Sequence, residues 1–258
     1  MDLHLTGKVV LITGGTDGLG LALAQRLVEE GAAVAICGRD EERLARAERQ
    51  LETIGGDVFA LRADAATSDG IEQFVEGAVS RWGKVDGIVH NAGRSAAGPL
   101  EANDDAVWDG DLQLKLMGAV RLTRSALPYL RESKGAALFT LAIAAKAPGA
   151  ASEPSSVSRA AGMALMKSLS KELGPDGIRV NAILIGLIES GQWVRAAAAS
   201  DSPLPEFYER LAANAAIPLG RVGRADEFAD LASYLLSPRS SYLTGTAINL
   251  DGGLSPVV

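Results

Sequence analysis

The chain has 258 residues, of which 47% are hydrophobic and 22% are charged. This length and composition fit a single α/β domain spanning residues 1–258, and no linker divides the sequence into two domains. The net charge of −7 and the absence of a block of Lys and Arg argue against a nucleic-acid partner, because phosphate binding depends on clustered basic residues.

The sequence shows no targeting signal, no membrane span and no pair of cysteines. The N-terminus lacks a basic segment followed by an apolar one, and no apolar run reaches the roughly 18 residues of a membrane span. We therefore expect a cytoplasmic protein with no membrane partner. Cys37 is the only cysteine, so we expect a buried small hydrophobe and no internal disulfide. No metal site is expected.

Strand-like apolar runs alternate with helical patterns along the whole chain. The runs are Lys8–Gly14, Ala32–Gly38, Asp57–Asp64, Val85–Gly93, Gly135–Ala142, Ile178–Gly186 and Gly245–Gly253. Several are apolar throughout, which is typical of strands covered on both faces. Repeated β-α-β units predict a Rossmann fold, a doubly wound parallel sheet with helices on both faces, whose ligands bind beyond the carboxyl ends of the strands.

Amphipathic stretches predict the helices between these strands. Leu19–Gly31 places its leucines on one side and ends at a glycine, which is a common helix stop. Asp40–Gly56 shows the same pattern. The segment Glu189–Pro218 is an irregular insertion, and we expect Pro203 and Pro205 to break it into short helical pieces.

A glycine-rich turn, "TGGTDGLG" at Thr13–Gly20, lies between the first predicted strand and the first predicted helix. Its glycines permit a tight turn and a close approach of the backbone to a pyrophosphate, which would face the helix N-terminus. Taken by itself, such a segment can also be a purely structural turn.

Further motifs follow in a characteristic order: "RADAAT", "HNAG", "GIRVNAI" and a C-terminal stretch from "IPLGRVGRADEF" to "INLDGG". With the glycine-rich turn, they make the chain resemble the short-chain dehydrogenase/reductase family over nearly its whole length. The resemblance implies that a dinucleotide contacts Gly14, Thr16, Asp17, Gly18, Leu19, Gly20, Arg39, Asp64, Ala65, Asn91, Ala92, Gly93, Arg159, Gly186 and Ile188. Ser190 would join Ile188 near the nicotinamide carboxamide. The family's Pro-Gly after the sixth strand is replaced here by Ile185-Gly186, which puts the local backbone shape in doubt.

The end of the second predicted strand favours NADP(H) over NAD(H). An acidic residue there would bind the ribose 2′-hydroxyl and repel a 2′-phosphate, but this chain has Gly38 followed by Arg39, whose guanidinium can bind a phosphate. Asp17 argues the other way, because that loop position is often basic or a small hydroxyl in NADP(H)-using relatives. Arg39 could also be a solvated charge paired with Glu41 or Glu42.

The catalytic positions of the resembled family are all substituted in this chain. In that family, an asparagine, a serine, a tyrosine and a lysine support hydride transfer between nicotinamide and a carbonyl carbon. The flanking sequences align these residues with Lys115, Ala142, Ser155 and Arg159, respectively. No tyrosine occurs between Gly135 and Phe207, so a shift in alignment does not restore the motif, and the enoyl-reductase variant of the family is disfavoured as well.

The remaining groups leave three hypotheses open. In the first, the protein is an NADP(H)-dependent oxidoreductase acting on a small apolar carbonyl, imine or quinone-like substrate. Lys115 is then the acid, Ser155 a hydrogen-bond donor and Arg159 a ribose or anion clamp. In the second, it is a cofactor-binding pseudoenzyme with a regulatory or structural role. In the third, Lys115 performs non-redox chemistry. Lys115 could also simply form an ion pair with Glu153 or Asp111.

Two expectations concern the insertion and the assembly. The resemblance implies that residues 189–218 form a lid over the substrate, where Tyr208 could act as a substitute acid. The resemblance also implies a homotetramer, which the small residues of Ser156–Leu173 and the apolar C-terminus favour.

Overall fold

The computed structural model describes residues 1–258 and has at its centre a seven-stranded, wholly parallel sheet. The strands are β1 (Val9–Thr13), β2 (Ala33–Gly38), β3 (Val58–Arg62), β4 (Gly87–His90), β5 (Ala136–Ala142), β6 (Arg179–Ile185) and β7 (Ala247–Leu250). Their spatial order is β3-β2-β1-β4-β5-β6-β7. Each predicted run contains one strand, and the Rossmann fold is confirmed.

Nine α-helices connect and cover these strands. They are α1 (Gly18–Glu29), α2 (Glu41–Thr53), α3 (Ser68–Trp82), α4 (Asp105–Leu112), α5 (Gly118–Ser133), α6 (Ser155–Glu172), α7 (Gly191–Ala199), α8 (Leu204–Asn214) and α9 (Ala225–Leu236). A π-helical turn, Gln113–Met117, joins α4 to α5 without a break. After α1, Gly31 adopts a φ of 79°, as its predicted role at the helix stop requires.

The helices form two layers, one on each face of the sheet. On one face, α1, α2 and α9 bury apolar side chains such as Leu27, Leu51 and Phe228 against the sheet. On the other face, α3, α5 and α6 bury Phe74, Leu122 and Met166. Each such side chain contributes roughly 1.5–3 kcal/mol by leaving water. Coverage of both faces explains why the strand sequences are apolar throughout.

The strand order reverses beside β1, and this reversal creates a crevice. The chain leaves β1 toward β2 on one side, while β4 pairs with the other side of β1, with Leu11 opposite Ile88. Loops that follow β1 and β4 therefore diverge above the sheet. Ligands of doubly wound sheets bind at this point.

The insertion at residues 189–218 differs in one respect from the prediction. Pro203 directly precedes α8, but Pro205 lies within the first turn of that helix and does not interrupt it. A proline is tolerated there because the amides of a first turn have no helical acceptor. The insertion therefore consists of two helices with one break. No helix of the chain combines the length and the apolarity needed to cross a bilayer.

Cys37 lies within β2 and is fully covered. Burial raises the pKa of its thiol to about 12. It is thus a small buried hydrophobe, as expected from the sequence.

Candidate active site

A cleft of about 760 Å³ lies above the carboxyl ends of the strands. Apart from Tyr208, every residue predicted from the sequence to bind the cofactor or to act in catalysis lines this cleft. These residues are Gly14, Thr16, Asp17, Gly18, Leu19, Gly20, Arg39, Asp64, Ala65, Asn91, Ala92, Gly93, Lys115, Ser155, Arg159, Gly186 and Ile188. The structure contains no group of three or more His, Cys, Asp and Glu side chains that could hold a metal ion.

The glycine-rich turn is packed too closely for a side chain at Gly14 or Gly20. Gly14 has a φ of 69°, and a Cβ there would lie 2.9 Å from the Cα of Ala92. A Cβ on Gly20 would lie 2.3 Å from the carbonyl oxygen of Gly14. The backbone amides of Leu19 and Gly20, in the first turn of α1, have no acceptor within the chain. These unpaired donors at a helix N-terminus fit a pyrophosphate group.

Asp17 places a negative charge beside these donors. Its carboxylate accepts a hydrogen bond of 2.8 Å from the amide of Gly18 and so caps α1. Across the cleft, Nη1 of Arg195 in α7 lies 3.6 Å from the same carboxylate. The carboxylate thus ties the phosphate end of the cleft to the insertion.

Asn91 fixes the glycine-rich turn to the end of β4. Its side-chain amide donates to the carbonyl oxygens of Thr13 (3.1 Å) and Gly14 (3.0 Å). The hydroxyl of Thr13 in turn accepts from the amides of Asn91 and Ala92, each at 3.2 Å. The two loops that open the crevice are therefore held in one arrangement.

The end of β2 carries no acidic side chain, and one placed there would displace the side chain of Thr16. A Cβ on Gly38 would lie 2.7 Å from Cγ2 of Thr16. Arg39, next in the chain, is largely exposed, and its nearest carboxylate is that of Asp64 at 3.9 Å rather than Glu41 or Glu42. Arg43 of α2 lines the same end of the cleft, which adds a second guanidinium that the sequence did not single out.

The loop after β6 keeps a regular geometry despite the missing proline. The amide of Gly186 donates to the carbonyl oxygen of Leu250 at 3.0 Å. A Cβ on Gly186 would lie 2.7 Å from Cβ of Asp251, so the glycine is required by close packing. Ile188 is buried and pairs with Gly223, which holds the start of the insertion against the body of the domain.

Lys115 lies on the π-helical turn between α4 and α5 and is only 8% exposed. Such turns insert one extra residue and occur frequently at functional sites. The Nζ of Lys115 donates to Oδ1 of Asp111, whose Oδ2 accepts a bond of 2.6 Å from the hydroxyl of Ser158. Of the two carboxylates considered from the sequence, Asp111 is thus the partner, and Glu153 is not.

The surroundings of Lys115 lower the pKa of its ammonium group. Burial is the largest cause, and the guanidinium groups of Arg159 and Arg94 act in the same direction, whereas Asp111 opposes them. Together they lower the pKa of Lys115 from 10.5 to about 8. A lysine with this pKa can both give and take a proton near neutral pH.

Ser155, the first residue of α6, lies directly against Lys115. Its Oγ accepts a hydrogen bond of 2.7 Å from Nζ of Lys115 and another of 2.9 Å from the amide of Ala96. A hydroxyl oxygen has two lone pairs, and both are engaged here. The O–H of Ser155 is therefore left as a donor on the wall of the cleft.

Arg159 lies one turn further along α6, on the same face as Ser155. One of its guanidinium nitrogens donates to the carbonyl oxygen of Thr140, and a Cβ on Gly93 would lie 2.8 Å from Nη2. Burial lowers the pKa of Arg159 to about 10, so the side chain stays cationic at neutral pH. It supplies positive charge and donors but exchanges no proton there.

The lining of the reactive end is more polar than the apolar substrate expected from the sequence would require. Apolar contacts are available from Leu114, Ala142, Ala144 and Trp193. Three cations, Arg94, Lys115 and Arg159, lie among them. The difference arises because Arg94, which directly follows the "HNAG" motif at the end of β4, was not recognised from the sequence. Its position on the carboxyl edge of the sheet was an available signal.

Tyr208 does not belong to the reactive end. It is not among the residues that line the cleft, and it packs beside Phe207 (6.2 Å between ring centroids) and the small core of Ala212, Ile217 and Val222. Burial raises the pKa of its phenol. The structure therefore offers no support for Tyr208 as a substitute acid.

The chain is similar to reductases over almost its whole length. Residues 14–255 match the family described as enoyl-(acyl carrier protein) reductase. A 3-oxoacyl-[acyl-carrier-protein] reductase of Chlamydia pneumoniae is 30% identical over 99% of this chain and 100% of its own length. A putative ketoacyl reductase of the granaticin polyketide synthase from Streptomyces violaceoruber is 33% identical over 95% of this chain and 92% of its own.

Solved structures show the same relationship. The NADPH-bound structure of a short-chain oxidoreductase from Pseudomonas aeruginosa PAO1, described as containing an atypical catalytic center, is 37% identical with a TM-score of 0.92 and covers 97% of this chain and 98% of its own. L-sorbose reductase from Gluconobacter frateurii, complexed with NADPH and L-sorbose, is 33% identical with a TM-score of 0.95 and covers 100% of both chains. The cleft architecture, the motifs and these matches lead to one conclusion: the chain belongs to the short-chain dehydrogenase/reductase family and carries an atypical catalytic centre.

Proposed function

We propose that the protein is an NADP(H)-dependent oxidoreductase in which Ser155 donates a proton to the substrate and Lys115 then donates a proton to Ser155. The hydrogen bond from Lys115 Nζ to Ser155 Oγ carries this proposal, because it leaves the serine O–H as a donor facing the cleft. The substrate is a small carbonyl, imine or quinone-like compound.

The residues at the dinucleotide end fit this cofactor. The unpaired amides of Leu19 and Gly20 would bind the pyrophosphate, and Arg39 and Arg43 would bind a ribose 2′-phosphate. The absence of an acid at Gly38 supports the phosphorylated form of the cofactor. NADPH in the Pseudomonas aeruginosa and Gluconobacter frateurii relatives supports it as well.

The chain supplies the proton chemistry of the reduction. When bound, NADPH supplies the hydride that reduces the electrophilic carbon. Ser155 donates its proton to the carbonyl oxygen as that oxygen gains charge, and the ammonium of Lys115 returns a proton to Ser155. The hydride and the proton convert the carbonyl to an alcohol, and Lys115 ends neutral until solvent protonates it.

The short side chain of serine has a consequence for where the substrate binds. A proton donor must come within about 2.6–3.2 Å of its acceptor, and serine extends less far from α6 than tyrosine does. The substrate carbonyl must therefore lie deeper in the cleft than it would beside a tyrosine. Ala142, which replaces a serine at the end of β5, leaves space there.

Parallel measurements of binding and turnover test the proposal. NADPH affinity is followed by fluorescence titration, and NADPH consumption is followed with ketones, imines and quinones. Relative to the wild type, we expect Lys115→Met and Ser155→Ala to lose about 10²–10⁴-fold in kcat while retaining NADPH affinity. Lys171→Met, which changes an exposed residue of α6, is the matched control.

The same measurements separate the other hypotheses. Full activity of Ser155→Ala would overturn the serine relay. Tight NADPH binding by the wild type without turnover on any substrate class would favour a pseudoenzyme. Substrate consumption that uses no NADPH but requires Lys115 would favour non-redox chemistry.

We also propose that the protein assembles as a homotetramer and that residues 189–218 close over the substrate. Val157 on α6 and Tyr242 are exposed apolar or aromatic side chains that a partner surface would cover. Light scattering coupled to size-exclusion chromatography measures the assembly, and a monomeric mass would contradict it. The cytoplasmic location stays a prediction.

A further inference from the structure

The reactive end of the cleft has an excess of positive charge. The cations are Arg94, Lys115 and Arg159, and the one carboxylate near them is Asp111. Asp111 is 4% exposed and its two oxygens already accept from Lys115 and Ser158. No carboxylate of the chain is thus left to neutralise the other two cations.

Arg94 differs from the other arginines that line the cleft. Three of those pair with a carboxylate: Arg39 with Asp64, Arg43 with Asp40 and Arg195 with Asp17. The fourth, Arg159, donates to the carbonyl oxygen of Thr140. Arg94 forms neither an ion pair nor a hydrogen bond within the chain, so its planar set of donors is free.

The loop that carries Arg94 is nevertheless fixed. Two residues later, the amide of Ala96 donates to Oγ of Ser155, and the amide of Gly98 donates to the carbonyl oxygen of Glu153 at 3.1 Å. Asn103 donates to the same carbonyl at 2.9 Å. The backbone beside Arg94 is therefore held to the start of α6, where the proposed proton donor lies. These bonds fix the backbone near Arg94 but not its side chain, which is exposed.

We propose that Arg94 binds an oxyanion group of the substrate, so that the natural substrate is an anionic carbonyl compound bearing a carboxylate or a phosphate close to its reacting carbonyl. A guanidinium forms paired, charge-assisted hydrogen bonds with either group. The carbonyl oxygen then lies toward Ser155, and the apolar part of the substrate contacts Leu114 and Trp193. This inference names the substrate class of the proposed oxidoreductase and rests on that function.

The bound anion would also affect the proton donor. Its negative charge offsets the repulsion that Arg94 and Arg159 exert on the ammonium of Lys115. The pKa of Lys115 then rises on binding, and the lysine keeps its proton until the substrate oxygen requires it. An anionic substrate thus completes the charge balance of the site.

Binding of simple anions tests the inference without turnover. Oxalate and inorganic phosphate are titrated against protein saturated with NADPH, which occupies the pyrophosphate site, and oxamide serves as the neutral analogue of oxalate. We expect oxalate or phosphate to bind at least tenfold more tightly than oxamide. Arg94→Gln should lose at least tenfold in anion affinity, Arg94→Lys should recover part of it, and Arg49→Gln, an exposed change on α2, should have no effect. Preference for oxalate or for phosphate identifies the group.

Measurements of turnover then test the anion site and the proposed oxidoreductase function separately. With 2-oxobutanoate and 2-butanone as a charged and a neutral substrate, Arg94→Gln should reduce kcat/KM for the acid at least tenfold more than it changes kcat/KM for the ketone. If neutral ketones are reduced as well as oxo acids, or if Arg94→Gln binds anions like the wild type, the anion site is wrong while the oxidoreductase stands. If anions bind through Arg94 but nothing is reduced, the site stands and the proposed function fails.

Discussion

The Nζ of Lys115 lies 2.7 Å from Oγ of Ser155, which joins a π-helical turn to the first residue of α6. Neither residue is a strong acid by itself. Their contact links a lysine of lowered pKa to a hydroxyl on the wall of the cleft. The consequences of this contact can be measured.

The rate of reduction should depend on the protonation of Lys115. The pKa of Lys115 is lowered to about 8, so the ammonium is present below that pH and lost above it. We expect kcat/KM for reduction, which reports the free enzyme, to be constant below pH 8 and to fall up to tenfold per pH unit above it. Arg159→Gln removes a repelling cation and should move the decline to higher pH. A rate that stays constant to pH 10 would exclude Lys115 as the proton source.

Removal of the Asp111 charge should destabilise the fold in a pH-dependent way. Asp111→Asn leaves a buried ammonium without its counterion, which typically costs about 3–5 kcal/mol. Lys115 has a pKa of about 8 when folded and 10.5 in the reference state, so the unfolded chain binds more protons between these values. Stability therefore rises with pH across this window, and more steeply in the variant.

Urea unfolding at pH 7 and pH 10 measures this effect. We expect the deficit of Asp111→Asn to be smaller at pH 10, where Lys115 is largely neutral. Asp109→Asn changes an exposed carboxylate of the same helix and should unfold like the wild type at both pH values. An equal deficit at both pH values would show that the charge of Lys115 is not responsible.

Arg39 should discriminate between the two dinucleotides. A charge-assisted hydrogen bond contributes about 1.5–3 kcal/mol, so Arg39→Ala should weaken NADPH binding roughly 10–100-fold and leave NADH binding unchanged. Fluorescence titrations of both cofactors provide the test, with Arg49→Ala on the exposed side of α2 as the control. NADPH affinity that is unaffected by Arg39→Ala would remove the case for the phosphorylated cofactor.

Asp17 should weaken dinucleotide binding in the wild type. Asp17→Asn keeps an oxygen that can cap the Gly18 amide but removes the negative charge beside the phosphate donors. We expect NADPH affinity to rise several-fold, with a larger gain at low salt because the repulsion is then less screened. Asp69→Asn, an exposed acid in the first turn of α3, is the control. Weaker binding would mean that the carboxylate itself contributes to the site.

Tyr208 should be dispensable for proton transfer. Because its ring packs against the small core of Ala212, Ile217 and Val222 and lies outside the cleft lining, Tyr208→Phe should keep at least half of the wild-type kcat and the same pH profile. A loss of a hundredfold or more would indicate that α8 moves into the cleft during turnover.

The sequence predicted the parts of the site that depend on local spacing. The glycine turn at Thr13–Gly20 and the "HNAG" motif lie directly after strands, so the fold itself brings them to the cleft. The partner of Lys115 was left open between Asp111 and Glu153. Spacing alone does not decide it, because Glu153 comes from a distant loop and only packing determines where its carboxylate points.

Arg94 and Pro205 illustrate what spacing leaves out. Arg94 belongs to no family motif. Its position after β4 could be read from the sequence, but its lack of a partner within the chain is visible only in the structure. A proline generally interrupts a helix, but Pro205 is the second residue of α8, where a proline is tolerated. Its effect therefore depends on where the helix begins.

The alkylation rate of Cys37 reports on the stability of the domain. A thiol of pKa about 12 in a covered strand reacts with alkylating reagents only when the strand leaves the sheet. The alkylation rate of the unmodified protein therefore depends on how often this strand opens. A dinucleotide that binds only the folded chain should slow that rate in proportion to its occupancy, which provides a measure of cofactor affinity that needs neither a substrate nor turnover.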